Sequence, residues 1–331
     1  MRRRELIVGL LLAAAAQSSW AQEPAKQHRI AIIRAGGSTA DISDSSPYSF
    51  YKELFQELRR LGDIEGQNLT VERYSGEGRP EGFADLAREV VNRQPDLVVA
   101  ISPPIAKAVR AASDTIPIVL AGGDPIRAGL ATSLAHPGGH VTGVTTEVDP
   151  GIWGKRLQIL KEALPSVSRV SYLDLRAYWQ DDAAPLREPS RQLHVSLVGM
   201  LLEESTPAEL RRVFAELPRD RPDAIMVGGD QTLTGQNPLI VELVDNSRLP
   251  AIYPWREYVE AGGLMAYGAD LGEGWRRAAD DVHEILNGAK PGDIPIYRPT
   301  KFELVINLKA ANALGLTIAP ALLGTADEVI E

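Results

Sequence analysis

Short β-branched runs alternate along the chain with longer amphipathic stretches. In the stretch 48–61, one face at helical spacing carries Tyr51, Leu54, Phe55, Leu58 and Leu61. Helices are predicted at 48–61, 83–92, 153–164, 209–217 and 274–286. Strands are predicted at 29–34, 69–74, 97–102, 118–121, 141–146, 169–173, 195–201, 224–228, 251–253 and 263–267. Strands that alternate with helices favour parallel sheets with right-handed crossovers, so an α/β fold is expected.

The two halves of the chain carry similar segments in the same order. Segment 95–100 resembles 222–227, 115–120 resembles 248–253, and 29–33 resembles 169–173. One such match is common in α/β proteins, but three in the same order indicate a duplicated plan. We therefore expect two doubly wound parallel-sheet lobes, packed against each other because no long linker separates them.

The N-terminus has the layout of a secretory signal peptide. Arginines at 2–4 precede an apolar run at 6–16, and Ser19 and Ala21 supply the small residues that favour cleavage before Gln22. A signal peptide at 1–21 and export to the periplasm are expected, by either the general or the twin-arginine route. A retained membrane anchor is the alternative, although the apolar run is shorter than the ~20 residues that span a bilayer.

Composition narrows the possible function classes. The 331 residues include no cysteine and carry a formal net charge of −9. The lack of cysteine excludes disulfides, thiol catalysis, iron–sulfur clusters and cysteine-ligated zinc. The negative charge removes the broad positive field that nucleic-acid binding uses, so no nucleic-acid partner is expected.

Motifs for catalysis and cofactor binding are missing from the sequence. It contains no phosphate-binding loop, no dinucleotide fingerprint after the first strand, no nucleophile elbow and no HExxH zinc motif. His136 and His140 lie in a Pro/Gly-rich loop, which does not favour a metal site. We expect no catalytic residue, metal or cofactor, although acid–base pairs that assemble in space escape a search of the sequence.

The binding site is expected where the strands end. In open parallel sheets, ligands bind beyond the carboxyl ends of the strands, and two such lobes form a cleft between them. The segments that leave the predicted strands supply the candidate ligand contacts, which are Arg34, Gly36, Gly37, Ser38, Ser102, Pro103, Gly123, Asp124, Arg176, Trp179, Gly229, Asp230, Tyr253, Trp255 and Tyr267.

Each candidate contact also has a structural explanation. Ser102 and Asp124 precede prolines, as helix caps do, and the amides of a capped helix also attract carboxylates and phosphates. The glycines allow close approach of a ligand or form tight turns. The aromatic rings stack on a flat ligand or pack in the core. The arginines pair with a ligand carboxylate or with acids of the protein. The sequence leaves these alternatives open.

Several segments resemble the solute-binding components of ABC importers, in the family that includes bacterial tryptophan- and tyrosine-type binding proteins. The resemblance covers essentially the whole chain after residue 21. It is carried by LGDIEGQNL at 61–69, IPIV at 116–119, GDP at 123–125, PGGHVTG at 137–143, GKRL at 154–157, LPAIY at 249–253, EAGGLM at 260–265, the stretch 299–316, and ADEVIE at 326–331.

The resemblance implies a type I periplasmic binding fold, in which three crossing strands join the two α/β lobes. The crossings are expected near 144–150, 261–263 and 294–300. The first lobe would then comprise 28–146 and 263–294, and the second lobe 147–262 and 295–331.

The resemblance also implies a function. A monomeric exported protein would trap a small amino-acid-like or aromatic carboxylate by hinge closure and hand it to an ABC permease of the inner membrane. Ser102-Pro103-Pro104, His140 and the long loop 34–47 depart from the family pattern and leave the ligand open. The alternatives are an exported ligand-sensing subunit of a membrane receptor and an exported α/β enzyme.

Overall fold

A computed structural model describes residues 27–146 and 151–331, with only the backbone described at 181, 182 and 218. The expected signal peptide at 1–21 lies outside these residues. Within the described ranges, no helix combines the length and the apolar character that crossing a membrane requires.

The first lobe is built on a parallel sheet with strand order β2-β1-β3-β4-β5. Its strands are β1 (His28–Arg34), β2 (Leu69–Ser75), β3 (Leu97–Ile101), β4 (Ile118–Ala121) and β5 (Val141–Val144). The helices between them are α1 (Ser49–Leu61), α2 (Phe83–Asn92) and α3 (Pro103–Ala112). Helix α1 buries its apolar face, as the spacing predicts.

The second lobe contains a sheet with strand order β12-β11-β10-β9-β8-β6-β7, parallel except where β11 meets β10. Its strands are β6 (Arg169–Leu175), β7 (Ser196–Leu202), β8 (Ala224–Val227), β9 (Ala251–Tyr253), β10 (Met265–Ala269), β11 (Phe302–Asn307) and β12 (Glu328–Ile330). The helices of this half are α4 (Gly151–Ala163), α5 (Trp179–Gln192), α6 (Pro207–Asp220), α7 (Asn237–Ser247), α8 (Arg256–Glu260), α9 (Leu271–Leu286), α10 (Leu308–Ala313) and α11 (Pro320–Leu323). Of these, α9 packs on the first lobe.

The predicted two-lobed α/β fold is confirmed, and the predicted strands lie within two residues of observed ones. The duplicated plan is also confirmed, because the order β7-β6-β8-β9-β10 repeats β2-β1-β3-β4-β5. The sequence missed α5, whose interior contains Pro185 and Pro189, and also α7, α8, α10 and α11. It also missed β11 and β12, which extend the second sheet beyond the duplicated unit.

The repeated Pro-Asp segments have a common structural role. The Asp96 carboxylate accepts a hydrogen bond from the Arg29 amide (2.7 Å), where β1 begins. Asp223 lies at the matching position in the second lobe and accepts from the amides of Ser168 (2.8 Å) and Arg169 (2.9 Å). Each aspartate therefore fixes the start of the neighbouring strand, which explains why both halves carry the motif.

Replacing Asp223 by alanine is expected to lower the free energy of unfolding by about 1–2 kcal/mol, because the exposed carboxylate satisfies two strand amides. The hydrogen bond from the Ser168 amide is the main reason that the pKa of Asp223 lies below its usual 3.8. The stabilisation is therefore present above pH 3.8 and lost as the pH falls through the lower pKa of the folded state. Urea unfolding at several pH values measures this difference. Asp96→Ala, which removes the partner of a single strand amide, should have a smaller effect, and equal stability of Asp223→Ala and wild type would contradict the assignment.

The polypeptide passes repeatedly between the lobes. Strand β5 ends the first sheet at Val144, and α4 begins the second lobe at Gly151. The chain returns at Asp270, because α9 packs against α1 and strands β3–β5. It leaves again after Tyr297, which pairs with the end of β5 before β11 begins.

The crossing expected near 261–263 is wrong. There the chain turns from α8 into β10, and β10 pairs with β9 and β11 of the second sheet. The strand at 265–269, which the sequence assigned to the first lobe, therefore belongs to the second. The error arose because β9, α8 and β10 form an ordinary β–α–β unit, and the return to the first lobe comes only after the last strand of that unit.

Candidate functional site

The carboxyl ends of the two sheets face each other and touch. At the edge strands farthest from the crossings, the Ser205 amide donates a hydrogen bond to the Gly78 carbonyl (3.2 Å). Near the crossings, Gln231 Nε2 donates to Thr146 Oγ1 (3.2 Å). The lobes are thus in contact at both ends of the interface, which is a closed arrangement.

Glycines allow the backbones of the two lobes to approach closely. A Cβ on Gly78 would lie 2.3 Å from the Ser205 carbonyl oxygen, and a Cβ on Gly122 would lie 2.5 Å from Cγ of Gln231. A Cβ on Gly235 of the second lobe would lie 2.6 Å from Nη2 of Arg34 in the first. We call these three residues, with Gly36 and Gly37, the glycine seam. The closed arrangement depends on their missing side chains.

Ser102, where β3 meets α3, has an unusual conformation. Its backbone lies at φ 111° and ψ 148°, a region that glycine tolerates and other residues rarely adopt. Its side chain is fully buried, and Oγ has no hydrogen-bond partner among the described residues. The predicted helix start after Ser102 is confirmed, but the hydroxyl does not cap the helix. Strain combined with an unpartnered buried hydroxyl is typical of a ligand contact.

Two prolines shape the start of α3 beside Ser102. Pro103 and Pro104 have no amide hydrogen, so the Ile105 amide is the first donor in the helix. The ring of Pro103 lies against Gly123, where a Cβ would be only 2.3 Å from Cγ of the proline. The candidate residues Ser102, Pro103 and Gly123 therefore come together.

The two candidate aspartates cap local turns. Asp124 Oδ1 accepts from the amides of Ile126 (2.8 Å) and Arg127 (3.0 Å). No helix follows it, so the helix expected after Pro125 is wrong; the chain makes turns at 125–129 instead. Asp230 Oδ1 accepts from the Thr232 amide (2.6 Å), at the start of a short 3-10 helix. Asp124 therefore caps a turn rather than a helix, and Asp230 caps the short 3-10 helix.

The two candidate arginines both pair with acids of the protein. Arg34 is buried, and Nη1 donates to the Ser38 carbonyl (2.8 Å) and to Asp41 Oδ2 (3.1 Å). Ser38 itself is exposed, and its hydroxyl accepts from the amide of residue 40 (3.2 Å). Arg176 is exposed and forms an ion pair with Glu203. Only Arg34 therefore lies at the glycine seam.

The candidate aromatic residues pack against other rings. Tyr253 is 1% exposed and stacks on Tyr258, with ring centroids 5.0 Å apart. Trp255 is also buried and stacks on Tyr258 at 6.4 Å. Trp179 packs on Tyr172, and Tyr267 stacks on Phe302. Tyr172, Trp179 and Tyr267 belong to, or pack against, a separate hydrophobic core of the second lobe. Tyr253 and Trp255 belong to a core that continues into the first lobe.

The sequence analysis missed Arg156, a buried charge at the strand ends of the second lobe. Its side chain is 3% exposed, Nε donates to the Tyr267 carbonyl (2.7 Å), and Nη2 donates to the Pro254 carbonyl (3.3 Å). The candidate Gly229 lies beside this guanidinium. A Cβ on Gly229 would be 3.6 Å from Nη1 of Arg156. An arginine on the apolar face of α4 was the available signal, because buried arginines need dedicated partners.

Thr232 and Asp174 were missed as well. The Thr232 hydroxyl is buried with no hydrogen-bond partner among the described residues, just after β8. Asp174 in β6 is fully buried, and its Oδ1 accepts from the Leu175 amide (2.8 Å).

In the described part of the chain, no three acidic or histidine side chains come together as a metal site would require.

Known proteins are similar to this chain in sequence and in structure. A tyrosine-binding protein of Clostridioides difficile (strain R20291) is 25% identical over 270 residues, 80% of this chain and 76% of that protein. An ABC domain of Streptococcus pneumoniae in complex with L-Trp matches with a TM-score of 0.78 and 24% identity, over 92% of this chain and 100% of that one. The ligand-free, open structure of a substrate-binding protein with adhesive properties from Clostridium difficile matches with a TM-score of 0.58 and 21% identity, over 92% of this chain and 99% of that one.

The family model described as "ABC transporter substrate binding protein" matches residues 38–330. This match spans both lobes and the cleft between them. The protein therefore belongs to the family of ABC transporter substrate-binding proteins.

Proposed function

We propose that the protein is the periplasmic solute-binding component of an ABC importer. It traps a small amino-acid-like or aromatic carboxylate between its lobes by hinge closure and delivers it to an inner-membrane permease. It acts as an exported monomer, without cofactor and without catalysis. The observation that supports this proposal most strongly is the hydroxyl of Ser102. It has no hydrogen-bond partner among the described residues and is buried at a strained position where the closed lobes meet.

The polar groups around this position suit an acidic ligand. Ser102 Oγ and the Ile105 amide both offer hydrogen atoms at the positive end of α3. In the second lobe, the buried Arg156 guanidinium lies beside Gly229 at the strand ends, where its positive charge would favour an anionic ligand in the cleft. Because Pro103 and Pro104 lack amide hydrogens, this chain offers fewer backbone donors to the carboxylate than a helix start without prolines, and side chains carry more of the recognition.

Relatives support both the ligand class and the closure. One relative is a tyrosine-binding protein, and one structural neighbour is in complex with L-Trp. At similar identities, the TM-score is 0.78 with the L-Trp complex and 0.58 with the ligand-free, open structure. The contacts across the glycine seam agree with a closed state, which a ligand would stabilise by touching both lobes.

Thermal unfolding with candidate ligands tests the proposal. L-Trp, L-Tyr, other amino acids and aromatic acids would each be added to purified protein. A true ligand at 100 times its Kd adds about 2.7 kcal/mol of stability and raises the Tm. Sugars serve as the control class and should not shift the Tm. A shift with sugars alone would contradict the proposed ligand class, and no shift with any compound would contradict small-molecule binding of these classes.

A further inference from the structure

Glu257 on α8 is a buried carboxyl at the interface between the lobes. Its side chain is 5% exposed, and Oε1 accepts a hydrogen bond from Ser49 Oγ (3.4 Å). Ser49 is the first residue of α1, so this hydrogen bond joins the second lobe to the first. The other oxygen, Oε2, is buried with no hydrogen-bond partner among the described residues.

The arginine next to this carboxyl in the chain does not neutralise it. Arg256 turns to three other acids, with Nε 3.0 Å from Glu260, Nη1 2.9 Å from Glu303 and Nη2 2.6 Å from Glu328. The charged groups that act on Glu257 are Glu260 and Arg256 of its own helix and Glu303 of β11. Burial, reinforced by the two glutamates and opposed by a backbone hydrogen bond and by Arg256, raises the pKa of Glu257 to about 8. At neutral pH the carboxyl is therefore protonated in the closed form.

We propose that closure of the cleft takes up one proton at Glu257, so that the protein binds its ligand more tightly at acidic pH. The inference rests on the proposed hinge closure. When the lobes separate, Ser49 moves away and water reaches the carboxyl, whose ordinary pKa is 4.5. Between the two pKa values the open form is ionised and the closed form is neutral, so closing requires a proton from solvent.

Isothermal titration with L-Trp and L-Tyr as probes measures this proton directly. Titrations at pH 6.5 in buffers of different ionisation enthalpy should give an uptake of about one proton per ligand bound. Affinity should fall on the order of fiftyfold between pH 6 and pH 8, below the limit of about tenfold per pH unit that a single proton allows. Glu257→Gln mimics the neutral carboxyl and should bind without proton uptake. The matched control is Glu242→Gln, an exposed acid of the neighbouring helix α7 that is not among the charged groups acting on Glu257, and it should behave as wild type.

A ligand-free measurement keeps the inference testable if neither amino acid binds. Small-angle X-ray scattering should show a more compact wild-type protein at pH 5.5 than at pH 8.5, and no change for Glu257→Gln. Equal pH responses of the two proteins in both experiments would overturn the inference. If neither probe binds but scattering separates the two proteins, proton uptake on closure is supported, and the thermal screen with the other amino acids and aromatic acids decides the ligand class.

Discussion

Gly235→Ala is expected to weaken ligand binding by about 1–3 kcal/mol, roughly five- to 150-fold in Kd. The added Cβ would lie 2.6 Å from Arg34 Nη2, 2.9 Å from the Gly36 carbonyl oxygen and 3.0 Å from the Gly37 Cα, all in the opposite lobe. These contacts exist only when the cleft is closed, so the substitution opposes closure. Titration calorimetry with the ligand found in the thermal screen measures the loss.

The stability of the ligand-free variant provides the control for Gly235→Ala. Gly235 does not have a positive φ, so alanine fits its backbone, and the Tm without ligand should stay near that of wild type. Gly82→Ala is a matched substitution outside the seam, because no atom lies within 4 Å of its added Cβ. It should bind as wild type does. Wild-type affinity in Gly235→Ala would contradict the account of closure.

Ser102→Gly is expected to stabilise the fold and weaken binding at the same time. Glycine adopts φ 111° without strain, and the relief of about 1–3 kcal/mol exceeds the entropic cost of about 0.5–1 kcal/mol that glycine brings. The Tm should therefore rise by a few degrees. Loss of the hydroxyl removes a ligand hydrogen bond of about 1–1.5 kcal/mol, roughly tenfold in Kd.

Ser102→Ala separates the two effects. Alanine lacks the hydroxyl but keeps the Cβ and therefore the backbone strain. This variant should lose affinity as Ser102→Gly does, without the gain from strain relief. If both variants bind as tightly as wild type, Ser102 has no role in ligand recognition and its conformation is only a feature of the fold.

Local patterns were enough to predict the core of each lobe. The periodicity of α1 located that helix, and the paired segments around Asp96 and Asp223 located matching strands in the two lobes. Both predictions succeeded because burial and strand capping act over short stretches of sequence. The second crossing was misplaced, because the choice of partner for β10 depends on the distant strand β11. Helix α5 was not predicted either, because its prolines lower the helix propensity of the segment. Its stability comes from packing against neighbouring elements.

The candidate site was predicted less completely than the fold. The sequence located the strand ends, and the structure brings Ser102, Pro103 and Gly123 together there. It could not show that Ser102 is strained or that Arg156 is buried, because both depend on tertiary contacts. It also offered Arg176, which lies on the exposed surface beside Glu203.

Native mass spectrometry tests the central claim most directly, because it detects a ligand held between the lobes whatever the identity of that ligand. Protein purified without unfolding, or incubated with aromatic amino acids and aromatic acids, should show one added mass of a small organic acid. Denaturation should remove that mass, and Gly235→Ala should retain less of it. A protein that shows only its own mass under all these conditions would contradict the account.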